Sequence, residues 1–379
     1  MSNTPQREVS DKIKTKVFFP NLNGVRALAA LMVVVSHVEL HKVIFHVRRI
    51  PDTDLLNFGK AGVTIFFSLS GFLITYLLLE EKRNFTTINF KGFYMRRILR
   101  IWPLYYLVVL FGFFVYPGGT GHAFWLSVFF LPNLAFCLQM LPAIFDPIWS
   151  IGTEEQFYIF HPHFFRIKKL QYVLYALLAF IVLLWTAQLI VDHLFQKHPM
   201  YTALHQVMYY SRFDNMMIGA VVAVLYYNTK HPEFNFRFQK TFNAIFRKRI
   251  QLIILNIFLI YLIAYLLYDI PHGDVLIALL SSLLIVNLCE AKTSIYSLNN
   301  KYLSYIGKIS YSVYLLHKFV LFLVLYLVSK YLAQGSLVIE NIIIYTSIIT
   351  LTIALASLSY YGYERPFLNI KKRFQKITQ

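Results

Sequence analysis

The sequence predicts an all-α, polytopic integral membrane protein, and three observations lead to this fold class. Of its 379 residues, 58% are hydrophobic and only 14% are charged, whereas a soluble domain carries about 25% charged residues. Several apolar runs reach the length of roughly 20 residues that a helix needs to cross a bilayer. These runs are continuous, so they lack the alternation of a transmembrane β-barrel strand.

Ten segments are predicted to cross the membrane. They cover 25–45, 61–79, 101–116, 148–165, 171–191, 205–228, 250–268, 274–289, 309–331 and 339–361. The loops on one side of these spans hold 27 of the 36 Lys and Arg residues, and those on the other side hold four. Because cytoplasmic loops carry the excess of positive charge, both termini are expected in the cytoplasm.

A further apolar run, 123–141, is expected not to cross. If both this run and 148–165 crossed, the basic stretch 166–169 would lie outside and every later loop would change sides. The run contains Pro132 and Asn133, which suit a segment that is packed inside protein. The sequence therefore predicts a re-entrant or interfacial segment on the outer side.

The charge and the cysteine content limit which partners, disulfides and metal sites are expected. The net charge of +18 is concentrated in alternate loops, so topology explains it and no nucleic-acid partner is expected. With two cysteines, both in apolar stretches, neither a disulfide framework nor a Cys-x-x-Cys metal site is expected. Membrane lipid is the expected surrounding, and a homodimer is left open. We expect one transmembrane domain, 25–367, between a cytoplasmic N-terminal tail, 1–24, and a basic C-terminal tail, 368–379.

Arg26 and His37 are ionisable residues of the first span that topology does not explain. Their separation of eleven positions brings them within ~20° of the same helix face and about 16 Å apart along the axis. Arg26 alone fits an anchor at the membrane interface, and His37 alone fits a hydrogen bond between helices. Because ionisable groups inside a membrane often mark functional sites, both are candidate catalytic residues.

Glu154 is the third catalytic candidate and lies in PIWSIGTEEQFYIFHP, residues 147–162. Helix rise places it at a similar depth to His37, so a contact between the two is permitted. A carboxylate that orients an imidazole is a common general-base arrangement, and a structural ion pair is the alternative. Trp149 in the same segment and Trp125 in the outer loop are candidates for stacking on a sugar.

An arginine cluster and a run of small residues predict where a phosphorylated ligand binds. Arg96, Arg97 and Arg100 lead into the third span from the side expected to be cytoplasmic. Guanidinium groups bind phosphate in bidentate fashion, and a positive-inside anchor is the alternative. The preceding span carries Ser68, Ser70 and Gly71. Such residues permit close helix packing, or they admit a narrow ligand arm.

Six segments together resemble the membrane acyltransferase-3 family, which includes O-acetyltransferases of bacterial surface polysaccharides and peptidoglycan. NGVRALAALMVVVSHVELH is similar to the family's opening motif and places its Arg-x10-His spacing at Arg26 and His37. The other segments, in family order, are GKAGVTIFFSLSGFLIT, RRILRIWPLYY, WSIGTEEQFYIFHP, GKISYSVYLLHK and YERPF. The resemblance covers residues 21–367. Asn23 departs from it, because the family usually has Asp there.

The resemblance implies transfer of an acyl group, usually acetyl, from cytoplasmic acyl-CoA to a hydroxyl of a cell-surface glycan or related acceptor, at the bacterial inner membrane. It implies that His37 is the essential catalytic residue, that Arg26 is its motif partner and that Glu154 is the family's recurrent glutamate. It also implies that Arg97 and Arg100 bind acetyl-CoA and that no metal takes part. The end of the chain, shortly after the last motif, predicts the standalone transmembrane form.

A transporter or flippase of glycans or lipid-linked precursors is the alternative function. Such a protein also needs about ten helices and intramembrane ionisable residues. The sequence shows no inverted repeat and no pair of broken helices at corresponding positions, which are features of many transporters. The transferase is therefore the favoured prediction.

Overall fold

A computed structural model of the chain describes residues 17–50, 55–115, 121–268, 270–332 and 336–374. Within these ranges the regular structure is entirely helical. The α-helices are α1 (Leu22–Lys42), α2 (Leu56–Phe85), α3 (Phe90–Val115), α4 (Gly121–Val128), α5 (Pro132–Cys137), α6 (Ile148–Phe160), α7 (Leu170–Leu194), α8 (Tyr201–Ser211), α9 (Phe213–Lys230), α10 (Gln239–Ala244), α11 (Lys248–Leu267), α12 (Gly273–Cys289), α13 (Lys301–Lys308), α14 (Ser310–Tyr331), α15 (Leu337–Ser359) and α16 (Arg365–Lys371). Parts of both predicted tails, 1–16 and 375–379, lie outside the described residues.

Seven helices in the described part of the chain are long and apolar enough to cross a membrane. They are α1, α2, α3, α7, α11, α14 and the continuous stretch Leu337–Phe374. This finding confirms an all-helical protein with multiple candidate spans. The other three predicted spans correspond to shorter helices: α6, the pair α8 and α9, and α12, which has 17 residues. The count of ten crossings stays a prediction.

Contacts near the helix ends show how the central helices run. α1 and α2 are antiparallel, because Phe19 just before α1 packs on Tyr76 in the second half of α2. α9 is parallel to α2, since His231 after α9 lies 3.4 Å from Glu80 near the end of α2. We call the end of the molecule that holds Arg26 and the N-terminus of α1 the arginine end. The end that holds the C-terminus of α1 is the histidine end.

Two glycines let α2 and α9 cross in direct backbone contact. A Cβ at Gly71 would lie 1.8 Å from the carbonyl oxygen of Met216, and one at Gly219 would lie 2.0 Å from that of Ser68. Small residues serve such close packing in membrane proteins. The small-residue run in α2 is therefore used, at these positions, for helix packing.

The predicted single span 205–228 is interrupted at Arg212, which separates α8 from α9. Arg212 has a positive φ of 49°, and its guanidinium forms a buried salt bridge with Asp274 on α12. The same group lies 4.1 Å from the ring centre of Tyr209. A buried charge needs a partner, so the chain breaks its helix at the position where Arg212 meets one.

The apolar run 123–141 forms two short helices instead of one span. α4 has eight residues and α5 has six, so neither exceeds about 12 Å in length, against roughly 30 Å for the hydrocarbon core. Gln156 on α6 donates hydrogen bonds to the carbonyl oxygen of Phe130 (2.8 Å) and to Asn133 Oδ1 (2.8 Å). The segment is held against protein, as expected, and its depth in the membrane stays a prediction.

Helices at the periphery expose apolar side chains. Leu183 on α7, Ile260 on α11 and Ile342 on α15 are all exposed, which suits contact with lipid tails. By contrast, α1, α2 and α14 are mostly buried. The polar residues of these central helices therefore face one another and define the interior of the protein.

Candidate active site

A cavity lies between α1, α2, α3, α6 and α14, and we call it the arginine cavity. Its charged lining consists of Arg26, Arg97, Arg100 and Glu154. Arg97 lies 5.1 Å from the ring centre of Tyr158. Neither Arg97 nor Arg100 forms a hydrogen bond or salt bridge with any residue in the described part of the chain. Two guanidinium groups of this cavity thus remain available to a ligand.

Glu154, the one carboxylate among the described residues that line the arginine cavity, is held by hydroxyl groups. Ser70 Oγ donates to Glu154 Oε1 (2.9 Å), and Tyr158 Oη donates to Glu154 Oε2 (2.9 Å). Arg26 donates to the neutral side chain of Asn23 (3.0 Å). With three guanidinium groups and one carboxylate, the lining is positive overall, and it favours an anionic ligand.

A second cavity adjoins the arginine cavity toward the arginine end of the molecule. Arg26 and Arg100 line both cavities. The second cavity adds the ammonium groups of Lys308, Lys371 and Lys372. The sequence did not single out these lysines, because each one also fits an ordinary positive-inside anchor. Their one distinguishing signal was proximity to the late motifs GKISYSVYLLHK and YERPF.

Glu364 belongs to the wall of the second cavity, where a π-helix, Tyr360–Glu364, follows α15. Its Oε1 accepts hydrogen bonds from Ser312 Oγ (2.6 Å) and Ser359 Oγ (2.8 Å). These bonds join α14 to the end of α15. Short π-helical turns occur frequently at functional sites, and this one brings the late motif YERPF to the cavity.

The residues predicted to hold the donor divide into two groups. Arg97, Arg100 and Ser70 line the arginine cavity. Arg96, Ser68 and Gly71 line neither cavity. Arg96 donates instead to Glu81 Oε2 (3.1 Å) and to the carbonyl oxygen of Phe374 (2.8 Å), while Ser68 and Gly71 pack against α9. Neighbouring residues within about one helix turn point in different directions, so each motif supplies both structural and cavity residues.

His37 lies outside the lining of both cavities, beyond Tyr314. Tyr314 and Ser150 both line the arginine cavity, and their hydroxyl groups are 2.6 Å apart. The contact between Glu154 and His37 that helix rise permitted is not formed. Helix rise concerns depth along one helix and carries no information on lateral position, so it could not show which residues of different helices meet.

The partner of His37 is His317 on α14. His37 Nδ1 lies 2.8 Å from His317 Nε2, and His317 Nδ1 lies 2.7 Å from the carbonyl oxygen of Tyr314. One turn further along α1, His41 Nδ1 donates to the carbonyl oxygen of His37 (2.8 Å). Lys318 Nζ donates to His41 Nε2 (2.7 Å). In the sequence, His317 was noted only as part of the motif GKISYSVYLLHK, with no catalytic role.

Lys318 also ties this group to the outer segment that precedes α6. Its ammonium donates to the carbonyl oxygen of Ala143 (2.8 Å) and to Asp146 Oδ2 (3.2 Å). Burial raises the pKa of the Asp146 carboxyl, and the nearby ammonium opposes that rise. Although three histidines meet here, no group of three or more His, Cys, Asp or Glu residues in the described ranges is arranged to hold a metal ion.

The two tryptophans proposed to stack on a sugar have different surroundings. Trp149 packs against the rings of Phe136 and Tyr210, with centroids 5.9 and 5.1 Å away. Trp125 on α4 is 58% exposed. An exposed ring has a free face for a ligand, so Trp125 suits stacking better than Trp149 does.

The fold and the cavities define a class, a multi-pass helical membrane protein with a cationic cavity and a neighbouring histidine pair. The chain belongs to the acyltransferase-3 family, since the family model described as an acyltransferase domain matches residues 19–361. Five of the six motifs that resembled this family lie within the matched region, and the sixth, YERPF, follows it.

Bacterial relatives carry names that agree with this family. The chain is 28% identical over 386 residues to a Staphylococcus aureus (strain COL) protein named "Putative O-acetyltransferase", an alignment that covers 94% of this chain and 58% of the relative. It is 30% identical over 166 residues to the peptidoglycan O-acetyltransferase OatA of Listeria monocytogenes, covering 40% and 24% respectively. The chain thus spans little more than half the length of the Staphylococcus relative. No solved structure matches the chain.

Proposed function

We propose that the chain is a membrane O-acyltransferase that moves an acyl group, acetyl in the first instance, from acyl-CoA to a hydroxyl of a cell-surface glycan or related acceptor. One observation carries the proposal. The unpaired guanidinium groups of Arg97 and Arg100 line a cavity that continues, past Arg26, into a second cavity with three lysines. Acyl-CoA has the matching shape and charge, with a phosphorylated nucleotide at one end of a long narrow arm.

The order of the lining residues supports one binding orientation. The nucleotide phosphates lie in the second cavity, against Lys308, Lys371 and Lys372. The arm passes between Arg26 and Arg100, which line both cavities, and continues along Ser70. The thioester then lies at the inner end of the arginine cavity, next to Tyr314. This orientation requires the arginine end to face the cytoplasm, in agreement with the distribution of Lys and Arg in the loops.

His37 is the proposed catalytic residue. As a general base, it takes the proton of the acceptor hydroxyl while that oxygen attacks the thioester carbonyl. The C–S bond breaks, and the imidazolium returns the proton to the departing sulfur. Alternatively, His37 itself attacks the thioester carbonyl, the C–S bond breaks and CoA leaves as its thiolate. The acylated imidazole then passes the acyl group to the acceptor hydroxyl, whose proton goes to the thiolate. In both routes the acceptor approaches from the histidine end, where exposed Trp125 lies.

The experiment that tests the proposal uses inside-out vesicles from a bacterium that expresses the chain, supplied with acetyl-CoA that is radiolabelled in the acetyl group. Wild type and the control His193→Ala, at an exposed position on α7, are expected to label glycan. His37→Ala should lower labelling by about 100-fold or more, the usual effect of removing a general acid–base residue. Equal labelling by His37→Ala would remove His37 from the chemistry.

The same vesicles separate the remaining alternatives. Label that is trapped on the protein without acceptor, and that is absent from His37→Ala, would identify His37 as the nucleophile. If wild type transfers no label from acetyl-CoA or longer acyl-CoAs with acceptor present, the transferase proposal fails and the transporter alternative takes its place.

A further inference from the structure

The histidine pair that joins α1 to α14 carries an inference about the reactive atom of the site. We propose that His317 is a positioning residue, which fixes the tautomer of His37 so that Nε2 of His37 is the atom that reacts. The inference rests on the proposed acyl transfer for its role in catalysis, but the tautomer itself follows from hydrogen bonds and is measurable without activity.

The first step concerns the protons of His317. Its Nδ1 lies 2.7 Å from the carbonyl oxygen of Tyr314, and a carbonyl oxygen only accepts hydrogen bonds, so Nδ1 carries the proton. The side chain is fully buried, and the ammonium of Lys318 follows it directly in the sequence. A second positive charge beside that ammonium is costly. His317 is therefore neutral, and its Nε2 has a free lone pair.

The second step concerns the protons of His37. Because Nε2 of His317 is an acceptor, Nδ1 of His37, at 2.8 Å, must donate. The two ring planes differ by only 8°, with centroids 5.1 Å apart, which is the arrangement of two nearly coplanar rings joined through an in-plane lone pair. In its neutral form, His37 then has no proton on Nε2. That nitrogen makes no hydrogen bond to any residue of the described ranges.

The third step concerns how firmly the pair is held. One turn away, Lys318 donates to His41, and His41 donates to the carbonyl oxygen of His37. Two adjacent residues of α14 thus contact two successive turns of α1, which resists sliding of the ring of His317 past that of His37. Orienting an imidazole through its Nδ1–H is the role of the carboxylate in catalytic triads. When His37 gains a proton at Nε2, its bond to His317 becomes charge-assisted and stronger.

The tautomer is tested by nitrogen NMR on the full chain in lipid nanodiscs, with histidine rings labelled with nitrogen-15. The signals of His37 are assigned by their absence from His37→Gln. We expect a protonated Nδ1 and an unprotonated Nε2 in wild type and in His317→Gln, whose amide oxygen accepts the same bond. His317→Leu should move proton population to Nε2. A wild-type His37 that carries its proton on Nε2 would overturn the inference, whatever the enzyme activity.

Kinetics test the consequence for catalysis. His317→Leu should lower kcat by about 100-fold, within the range for losing general-base function, with the KM for acetyl-CoA unchanged. His317→Gln should keep kcat within about tenfold of wild type, since the acceptor is restored. The matched control is His161→Leu, which replaces a second fully buried histidine, bonded to Thr75, and should leave kcat per folded enzyme unchanged. Equal losses in the Leu and Gln variants would assign His317 a structural role and reject positioning.

The two proposals fail in different ways. A wild-type protein that transfers no acyl group from acyl-CoA refutes the proposed function, while the NMR result still decides the tautomer of His37. A wild-type protein that transfers acyl groups, but shows the other tautomer or no rescue by His317→Gln, refutes the positioning role alone.

Discussion

At the scale of single residues, Arg100 has the most informative surroundings. It lines both cavities, and no acid in the described part of the chain pairs with it. A half-buried cation without a partner is unfavourable, so we expect a ligand anion to pair with Arg100. The same reasoning applies to Arg97. Arg96 differs from both, because it already pairs with Glu81.

Replacing Arg100 should weaken donor binding. Arg100→Gln removes one charge-assisted hydrogen bond, worth about 1.5–3 kcal/mol, so the Kd for CoA is expected to rise by about tenfold or more. Isothermal titration of the purified protein at fixed salt measures this change. Lys330→Gln is the control, because it removes the same charge from an exposed position on α14 at the opposite end. Equal CoA affinity in both variants would exclude Arg100 from the donor site.

Tyr314 lies between the arginine cavity and the histidine pair, and its hydroxyl group is bonded to Ser150. Tyr314→Phe removes this bond. It should thereby weaken the barrier between the proposed position of the thioester and the histidine end. We expect faster hydrolysis of acetyl-CoA without acceptor, followed as release of free CoA thiol. Tyr305→Phe is the control, since it breaks a similar bond, to Ser357 (2.7 Å), away from the cavities. An unchanged ratio of hydrolysis to transfer would contradict a barrier at Tyr314.

At the scale of elements, the crossing of α2 and α9 sets the position of the arginine cavity, because Ser70 of α2 faces it while Ser68 and Gly71 face α9. Gly71→Ala places a Cβ 1.8 Å from a backbone oxygen, so the helices must separate. Overpacking of this kind costs about 1–3 kcal/mol. We expect a lower melting temperature in detergent, and less monodisperse protein.

Gly362→Ala provides the comparison for this prediction. An added Cβ at Gly362 has nothing within 4 Å, and alanine favours helix over glycine by about 1 kcal/mol. Its melting temperature should therefore equal or exceed that of wild type. Equal melting temperatures for the two variants would show that the crossing is looser than its geometry indicates.

At the scale of the whole molecule, the two ends have different chemistry. Cationic groups collect at the arginine end, and the histidine pair with the exposed Trp125 lies toward the other. If the donor is cytoplasmic, cysteines placed at exposed Lys301 and Lys330 should differ in accessibility, in a background without Cys137 and Cys289. A membrane-impermeant maleimide added to intact cells should label Lys330→Cys alone. Labelling of Lys301→Cys instead would place the arginine end outside, which is incompatible with cytoplasmic acyl-CoA.

The sequence by itself determined the class of protein, most helix positions and the first candidates of the site. Hydrophobicity and the Lys/Arg bias depend on local stretches of the chain, so candidate spans could be predicted without knowledge of tertiary contacts. The same holds for Arg26 and His37, which are conspicuous because charge inside an apolar helix is costly. The break at Arg212 was missed, since its cause is a salt bridge to Asp274, 62 residues further along the chain.

Only the tertiary structure decided which of these residues meet. His37 pairs with His317, 280 positions away, and not with Glu154, although the motifs that contain all three had been identified in the sequence. Arg97 and Arg100 share a cavity from which their neighbour Arg96 is absent, and Lys308, from another helix, lines the second cavity together with Arg100. Helix geometry specifies depth and facing along one element, but lateral neighbours depend on how helices pack, and that packing is a property of the whole chain.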